Sequence, residues 1–322
     1  MRRRQRRSLA AGALATALSP KNLATVRATY RSQSTAATAV RFHRAASPGG
    51  AGPIGSNTSF DLPFRATEYY NTDGGIVWTS TFVEGDNLTT QESTFTAGRT
   101  YAQTWNAAPF GPTVGGAPAL TPLGYAGRDG DTISAASPPL FGDATGRPAS
   151  RDDLPVHLRL SRNGTEIATA DSAYADFPVP PGKATYRLEA TVTRGAPDTL
   201  STSVSVAWTF TSAHTVKPER LPLTTARPMP ALDDTNTARA GTTMTLPVAL
   251  DRLAGSTAAP GRTLGVSASF DDVRTWVALP VHRGAALVRH PRRPGFVSLR
   301  LTATDSAGNT VTQTIQQAYR IA

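Results

Sequence analysis

The sequence predicts an all-β protein, two antiparallel β-sandwich domains behind a disordered basic N-terminal tail, and three observations predict it. The first is a period of two in the apolar residues, the mark of strands with one buried face. In Val204-Ser-Val206-Ala-Trp208-Thr-Phe210-Thr every second residue is large and apolar, and Tyr186–Val192, Val266–Phe270 and Val297–Thr304 repeat the pattern. The second is turn chemistry. Asn163-Gly164 stands between Val156–Leu160 and Glu166–Thr169, and Asp305-Ser-Ala-Gly308-Asn309 between Leu299–Thr304 and Thr310–Ile315; both supply the positive φ that tight hairpins need. The third is that no segment beyond the tail carries a sustained apolar stripe of period 3.6 with caps. A parallel α/β enzyme is excluded by the same reading, since many short strands separated by turns make a sandwich.

Taken in chain order, residues 1–59 are expected to be a tail. Ten basic residues and no acid stand before Asp61, and from there on basic and acidic residues are equal in number. The net charge of +10 therefore belongs to the tail. A neutral body offers no extended field for phosphates, so nucleic acid is not an expected partner. The tail has two readings. Arg2-Arg-Arg4 and Arg6-Arg7 followed by the Ala-rich run Leu9–Leu18 and small-residue sites such as Ala13-Leu14-Ala15 read as an export signal. The Ala/Ser/Thr/Arg composition ending in Ser47-Pro-Gly-Gly-Ala-Gly-Pro53 reads as disorder. Residues 60–215 are expected to form the larger sandwich. The prolines at Pro218, Pro222, Pro228 and Pro230 mark a boundary, with part of that stretch as an edge strand, where proline is tolerated. Residues 216–322, roughly a hundred, suit a seven-stranded immunoglobulin-like sandwich.

Composition closes several routes to chemistry. With no Cys there is no disulfide framework, thiolate metal site or cysteine nucleophile. No apolar run approaches the ~20 residues of a membrane span. Gly241-Thr242-Thr243-Met244-Thr245-Leu246-Pro247 resembles the nucleophile motif of subtilisin-like peptidases, with Thr243 at the serine position. It alternates like a strand, though, and the Asp-Thr-Gly and His-Gly partners of a triad are absent. His282 and His290 fall on what should be neighbouring strands, but a solvent-facing strand histidine explains each. Asp129-Gly130-Asp131 and Asp271-Asp272 are oxygen-rich without the graded spacing of a calcium loop. No catalytic residue, metal ligand or cofactor site is assigned.

Two features are more specific. Ser269-Phe-Asp271-Asp-Val273-Arg-Thr275-Trp276 resembles the Asp-box, Ser-x-Asp-x-Gly-x-Thr-Trp, a structural β-hairpin of sialidases and other β-proteins. Val273 replaces its glycine, which puts the tight turn in doubt. Trp78 and Trp105, with Tyr69, Tyr70 and Tyr101, are the candidates for a sugar-stacking platform, against the commoner role of aromatics as core.

Beyond these motifs lies a longer resemblance. Asp61-Leu-Pro-Phe-Arg-Ala-Thr-Glu-Tyr-Tyr-Asn71, Thr104-Trp-Asn-Ala-Ala-Pro-Phe-Gly-Pro112, Val179-Pro-Pro-Gly-Lys-Ala-Thr-Tyr-Arg-Leu-Glu189, Val206–Ser212, Asp305–Asn309 and Ala318-Tyr-Arg320 follow in order from Phe60 to the end. Together they resemble the C-terminal β-rich extension of secreted subtilisin-like serine peptidases of high-GC Gram-positive bacteria. Three Lys against 30 Arg fit GC-rich coding. The peptidase domain that should precede the extension is replaced by the basic tail. The resemblance implies a secreted, non-catalytic accessory region that stabilises or targets an enzyme, with a peptidase catalytic domain or a cell-surface component as partner. The alternative is an independent carbohydrate- or cell-wall-binding protein with polysaccharide as ligand.

Overall fold

The computed structural model describes residues 21–46, 54–114, 126–136, 142–150 and 154–322. The expected export signal and the loop 47–53 lie outside them. The described chain is all β apart from one short 3-10 turn at Asp73–Gly75, and no helix among the described residues is long and apolar enough to cross a membrane.

Seven strands form the first unit: β1 (Leu23–Tyr30), β2 (Thr38–Ala46), β3 (Ile54–Asp61), β4 (Phe64–Asn71), β5 (Val77–Glu84), β6 (Asn87–Ser93) and β7 (Thr100–Trp105). The tail expected over 1–59 therefore differs from the structure, which places β1, β2 and most of β3 inside it. Their alternation is real but built from small residues. On β1 the inward positions are Ala24, Val26, Ala28 and Tyr30, all buried, and two of those four are alanines that do not stand out in an Ala/Ser/Thr-rich context. A three-stranded sheet β4-β1-β7 and the sheet β6-β5-β2-β3 share a core of Tyr30, Tyr70, Phe82 and Trp105 with the β1 alanines. β1 pairs with β7 in parallel, the long crossover between them being β2 to β6.

The second unit follows with β8 (Ala126–Asp129), β9 (Thr132–Ala136), β10 (Ala149–Ser150), β11 (Val156–Arg162), β12 (Thr165–Ala170), β13 (Tyr174–Pro178), β14 (Ala184–Thr193), β15 (Ser203–Ser212), β16 (Glu219–Arg220) and β17 (Thr224–Pro228). It continues through β18 (Thr237–Ala238), β19 (Thr243–Arg252), β20 (Gly261–Ser269), β21 (Val277–Ala278), β22 (Val281–His282), β23 (Ala285–Arg289), β24 (Gly295–Asp305) and β25 (Thr310–Ile321). β10 crosses back to pair with β6. The large sheet runs β12-β11-β14-β15-β25-β24-β20-β21, with β18 beside β25, and the smaller sheets are β13-β9-β8-β16 and β17-β19-β23-β22. Residues from all three contribute to one core that extends from Ala108 to Ile321. Asn163 and Gly164 adopt φ of 52° and 84°, and Gly308 of 88°, as the hairpins β11–β12 and β24–β25 require.

The domain boundary expected at 215/216 is corrected by this topology. β15 and β25 lie on opposite sides of it and pair from Ser203↔Gln316 to Thr209↔Thr310. The Pro-rich stretch is a crossing connection, with β17 at a sheet edge. Proline reports where a ladder is interrupted along the chain and carries no information on which distant strand takes up the pairing. The core division falls near Trp105 instead.

A buried polar joint links the two units. The Glu84 carboxylate, 0% exposed, accepts hydrogen bonds from Gln33 N (3.2 Å), Ser34 N (3.2 Å), Ser34 Oγ (2.8 Å), Ser32 Oγ (3.1 Å) and Asn106 Nδ2 (2.6 Å). Beside it Arg194, on the β14–β15 connection, donates to Gln33 Oε1 at 2.7 Å and Asn87 Oδ1 at 2.9 Å and pairs with Asp198 at 3.2 Å. Asn236 adds bonds to Ser32 O (3.0 Å) and Asn106 O (2.9 Å) and accepts from Ala108 N (2.9 Å). Buried charge is tolerated where hydrogen bonds replace its hydration, and here the donors come from four separate parts of the chain.

Candidate functional site

The two tryptophans proposed as a platform do not form one. Trp105 is the last residue of β7 and points inward, 0% exposed. Two guanidinium groups pack over its ring, Arg41 at 4.2 Å and Arg147 at 4.3 Å, and a ring this buried presents no face to a sugar. Trp78 is half-buried, donates its indole N–H to Asn71 O at 2.8 Å and packs edge-on against Tyr70 at 5.0 Å. Tyr70 is buried, Tyr101 is half-buried, and of the five aromatics Tyr69 alone is largely exposed. The period of two that sets their phase also turns them into core.

Around Arg41 the same core holds a connected polar cluster. Arg41 donates to the hydroxyls of Tyr30 and Tyr70 and lies 3.7 Å from Glu68, to which both tyrosines donate. Burial pushes both phenols above their ordinary range. Burial, and then Arg41, hold His43 down at about 4, so it is neutral near pH 7. Ser80 Oγ (3.2 Å) and Tyr70 OH (3.1 Å) converge on the same ring nitrogen, Nδ1. A relay from hydroxyl through imidazole to carboxylate uses opposite nitrogens, so this cluster has the chemistry of a structural network.

The remaining residues singled out in the sequence are dispersed. Thr243 opens β19 opposite Arg289, a strand position and not a helix start. His290 is buried with Nε2 at 3.1 Å from Tyr319 OH, while His282 is exposed on β22. Asp131 is bound to His214 at 3.0 Å and Arg128 at 3.3 Å.

A turn device built from aspartates recurs at three places, of which the sequence singled out the one at Asp305–Asn309 but not those at Asp143 and Asp233. Asp143 accepts from the N–H groups of Thr145 and Arg147, Asp233 from those of Thr235 and Thr237, and Asp305 from those of Ala307 and Asn309. In each the residue three beyond the acid has positive φ: Gly146, Asn236 and Gly308. The signal was present as Asp followed at the fourth position by Gly or Asn, the chemistry of Asx turns.

The Asp-box turn is a further case with its own geometry. Ser269 Oγ donates to Asp271 Oδ1 (2.8 Å) and accepts from Val273 N (3.0 Å), while Thr275 donates from N (2.9 Å) and Oγ1 (2.5 Å) to the same carboxylate. These are the bonds the motif implies. The motif's glycine position is held at φ 66° by Val273, next to Asp272 at 60°. For a β-branched residue this conformation is a genuine outlier, costing about 1–2 kcal/mol. Val273→Gly is therefore expected to stabilise the protein, relief of strain outweighing the ~0.5–1 kcal/mol entropy cost of glycine by up to about 1 kcal/mol. Urea denaturation measures it, and a lower midpoint for the variant would show that the turn is unstrained.

The hydrogen bonds, those from Thr275 first, also hold the Asp271 carboxyl down at about 2. It ionises at lower pH folded than unfolded, so its contribution is complete above the usual carboxylate range, near 4, and is lost as pH falls toward 2. Asp271→Asn is expected to flatten the fall of the urea midpoint between those pH values; an unchanged slope would count against the carboxylate's role in the turn.

Against this hairpin lies a hollow of about 320 Å³ lined by Phe270, Asp271, Asp272, Arg274, Arg293, Phe296 and Gln317. Asp271 is occupied by its turn, and Asp272 Oδ1 accepts from Gln316 Nε2 at 2.8 Å and Gln317 Nε2 at 3.4 Å. Trp276, the last residue of the motif, is half-buried and covered by the Arg300 guanidinium at 4.2 Å.

No family model matches this chain, and no curated protein matches it. Among solved structures it is similar to the three N-terminal domains of the bacteriophage RB49 highly immunogenic outer capsid protein, with 8% identity, 93% of this chain and 98% of that one covered, and a TM-score of 0.20. It is similar also to the N-terminal four Ig domains of Dscam1 isoform 6.44, at 12% identity, covering 91% and 75%, with a TM-score of 0.17. Overlap this low assigns neither a family nor an activity.

Proposed function

We propose that the chain is a non-catalytic binding and positioning module, exported with or alongside a subtilisin-like serine peptidase whose catalytic domain it stabilises or targets. The observation that supports this reading is the buried joint at Glu84, Arg194 and Asn236. It ties two cores to each other through fully buried donors and acceptors, an investment suited to presenting surfaces at fixed geometry. The sequence segments that carry the resemblance, from Asp61–Asn71 to Ala318–Arg320, contribute to both units so joined. The sugar-binding alternative loses its platform with the burial of Trp105.

The test uses the full chain and the catalytic domain of a subtilisin-like peptidase from the same genome, each purified. Sedimentation should give a complex, and the peptidase should lose activity more slowly on heating in its presence. Independent sedimentation with unchanged inactivation would overturn the reading.

A further inference from the structure

The hollow beside the Asp-box hairpin combines features that its structural role does not use. Arg274 and Arg293 line it and are both exposed. Neither makes a hydrogen bond or close ion pair to a described residue, Arg274 acting on Asp271 only weakly and at longer range, whereas the two aspartates on the same rim have hydrogen-bond partners. Phe270 and Phe296 supply half-buried apolar walls. Two lining residues other than glycine have positive φ, Asp272 at 60° within the turn described above and Gln317 at 51°. Backbone strain of this kind gathers where a binding geometry is held.

We infer that this hollow binds the C-terminal residue of a peptide chain bearing an apolar side chain. The terminal carboxylate supplies the hydrogen-bonded partner that neither guanidinium has. An apolar side chain covers the phenylalanine faces, and the backbone N–H of the same residue is a donor for the second oxygen of Asp272. The volume, at the small end for ligand sites, suits one residue. Guanidinium with aromatic surface is also the composition of interface anchors, so this site gives the module a partner chemistry; in that respect it rests on the binding-module reading above.

The experiment is an NMR titration of the full chain with N-acetyl-L-phenylalanine, which carries the carboxylate, the amide N–H and an aromatic side chain. Amides of Phe270–Arg274, Arg293, Phe296 and Gln317 should shift together, with a dissociation constant on the order of millimolar for so small a probe. N-acetyl-L-phenylalaninamide, without the carboxylate, should bind at least about tenfold more weakly. Arg293→Ala should weaken the acid by a similar factor while the rest of the spectrum is unmoved, and Arg274→Ala provides a second, independent variant. Absence of localised shifts, equal binding of acid and amide, or binding unaffected by both substitutions would overturn the assignment. Tighter binding of D-glucuronate than of the amino-acid probe would overturn it in favour of an acidic sugar. The titration reads the hollow alone and sedimentation with a peptidase reads the module's role, so each proposal can fail without the other.

Discussion

Glu84→Ala is expected to lower stability by about 3–5 kcal/mol, the range for removing one partner of a buried charged network. The carboxylate satisfies donors from the β1–β2 connection and Asn106. Its loss strands buried backbone N–H groups of Gln33 and Ser34, each worth ~1–3 kcal/mol when left unpaired. Arg194 would keep its own carboxylate, Asp198, so the damage should centre on the segment 31–37. Urea unfolding at neutral pH gives the magnitude, and faster proteolytic cleavage within 31–37 gives the location; a loss below ~1 kcal/mol would place the joint elsewhere. The pH dependence has a sign of its own. Burial raises the Glu84 carboxyl above the usual range in spite of its donors. The folded protein therefore holds this proton more tightly than the unfolded chain, and the group's contribution declines as pH rises from the unfolded value through the folded one. Glu84 and Asp271 act in opposite directions across the acid range, and the two substitutions should change the pH profile with opposite signs.

Trp105→Ala is expected to cost about 3–5 kcal/mol, as for large aromatics removed from a core. Arg41 and Arg147 both pack over the ring, so its removal leaves two buried cations beside a cavity and forfeits ~0.5–2 kcal/mol for each cation–π contact. Trp105→Phe keeps an aromatic ring against both and should lose less. Trp78→Ala, at a half-buried site, should cost about 1 kcal/mol. Chemical denaturation of the three variants checks the order. A stable Trp105→Ala protein that had lost affinity for polysaccharide would restore the platform reading.

Much of the second unit was legible because large apolar residues mark its phase. Val204, Val206, Trp208 and Phe210 are all buried as their alternation requires, and Asn163-Gly164 and Gly308 sit in the conformations their types favour. The Asp-box motif was readable too, but the turn that Val273 put in doubt is formed, with Val273 held at positive φ. β1 was not, because Ala24 and Ala28 are buried by neighbours that the segment itself does not reveal. Trp105 illustrates the same limit from the other side. Its burial depends on Arg147, 42 positions away, and a guanidinium that joins a core is indistinguishable in sequence from one in solvent.

Local chemistry by itself determined the all-β class, the strands marked by large apolar residues and the tight turns between them, because periodicity, φ preference and side-chain-to-backbone hydrogen bonds act over a few residues. The tertiary structure alone decided the rest. β15 and β25 share a ladder though about a hundred residues separate them in the chain, so the core division moved from 215/216 to near Trp105. The hollow brings Arg274 from the β20–β21 connection and Arg293 from the β23–β24 connection together with Gln317 on β25. Strand pairing is chosen by which faces bury most apolar surface together, a property of the assembled chain that no single segment carries.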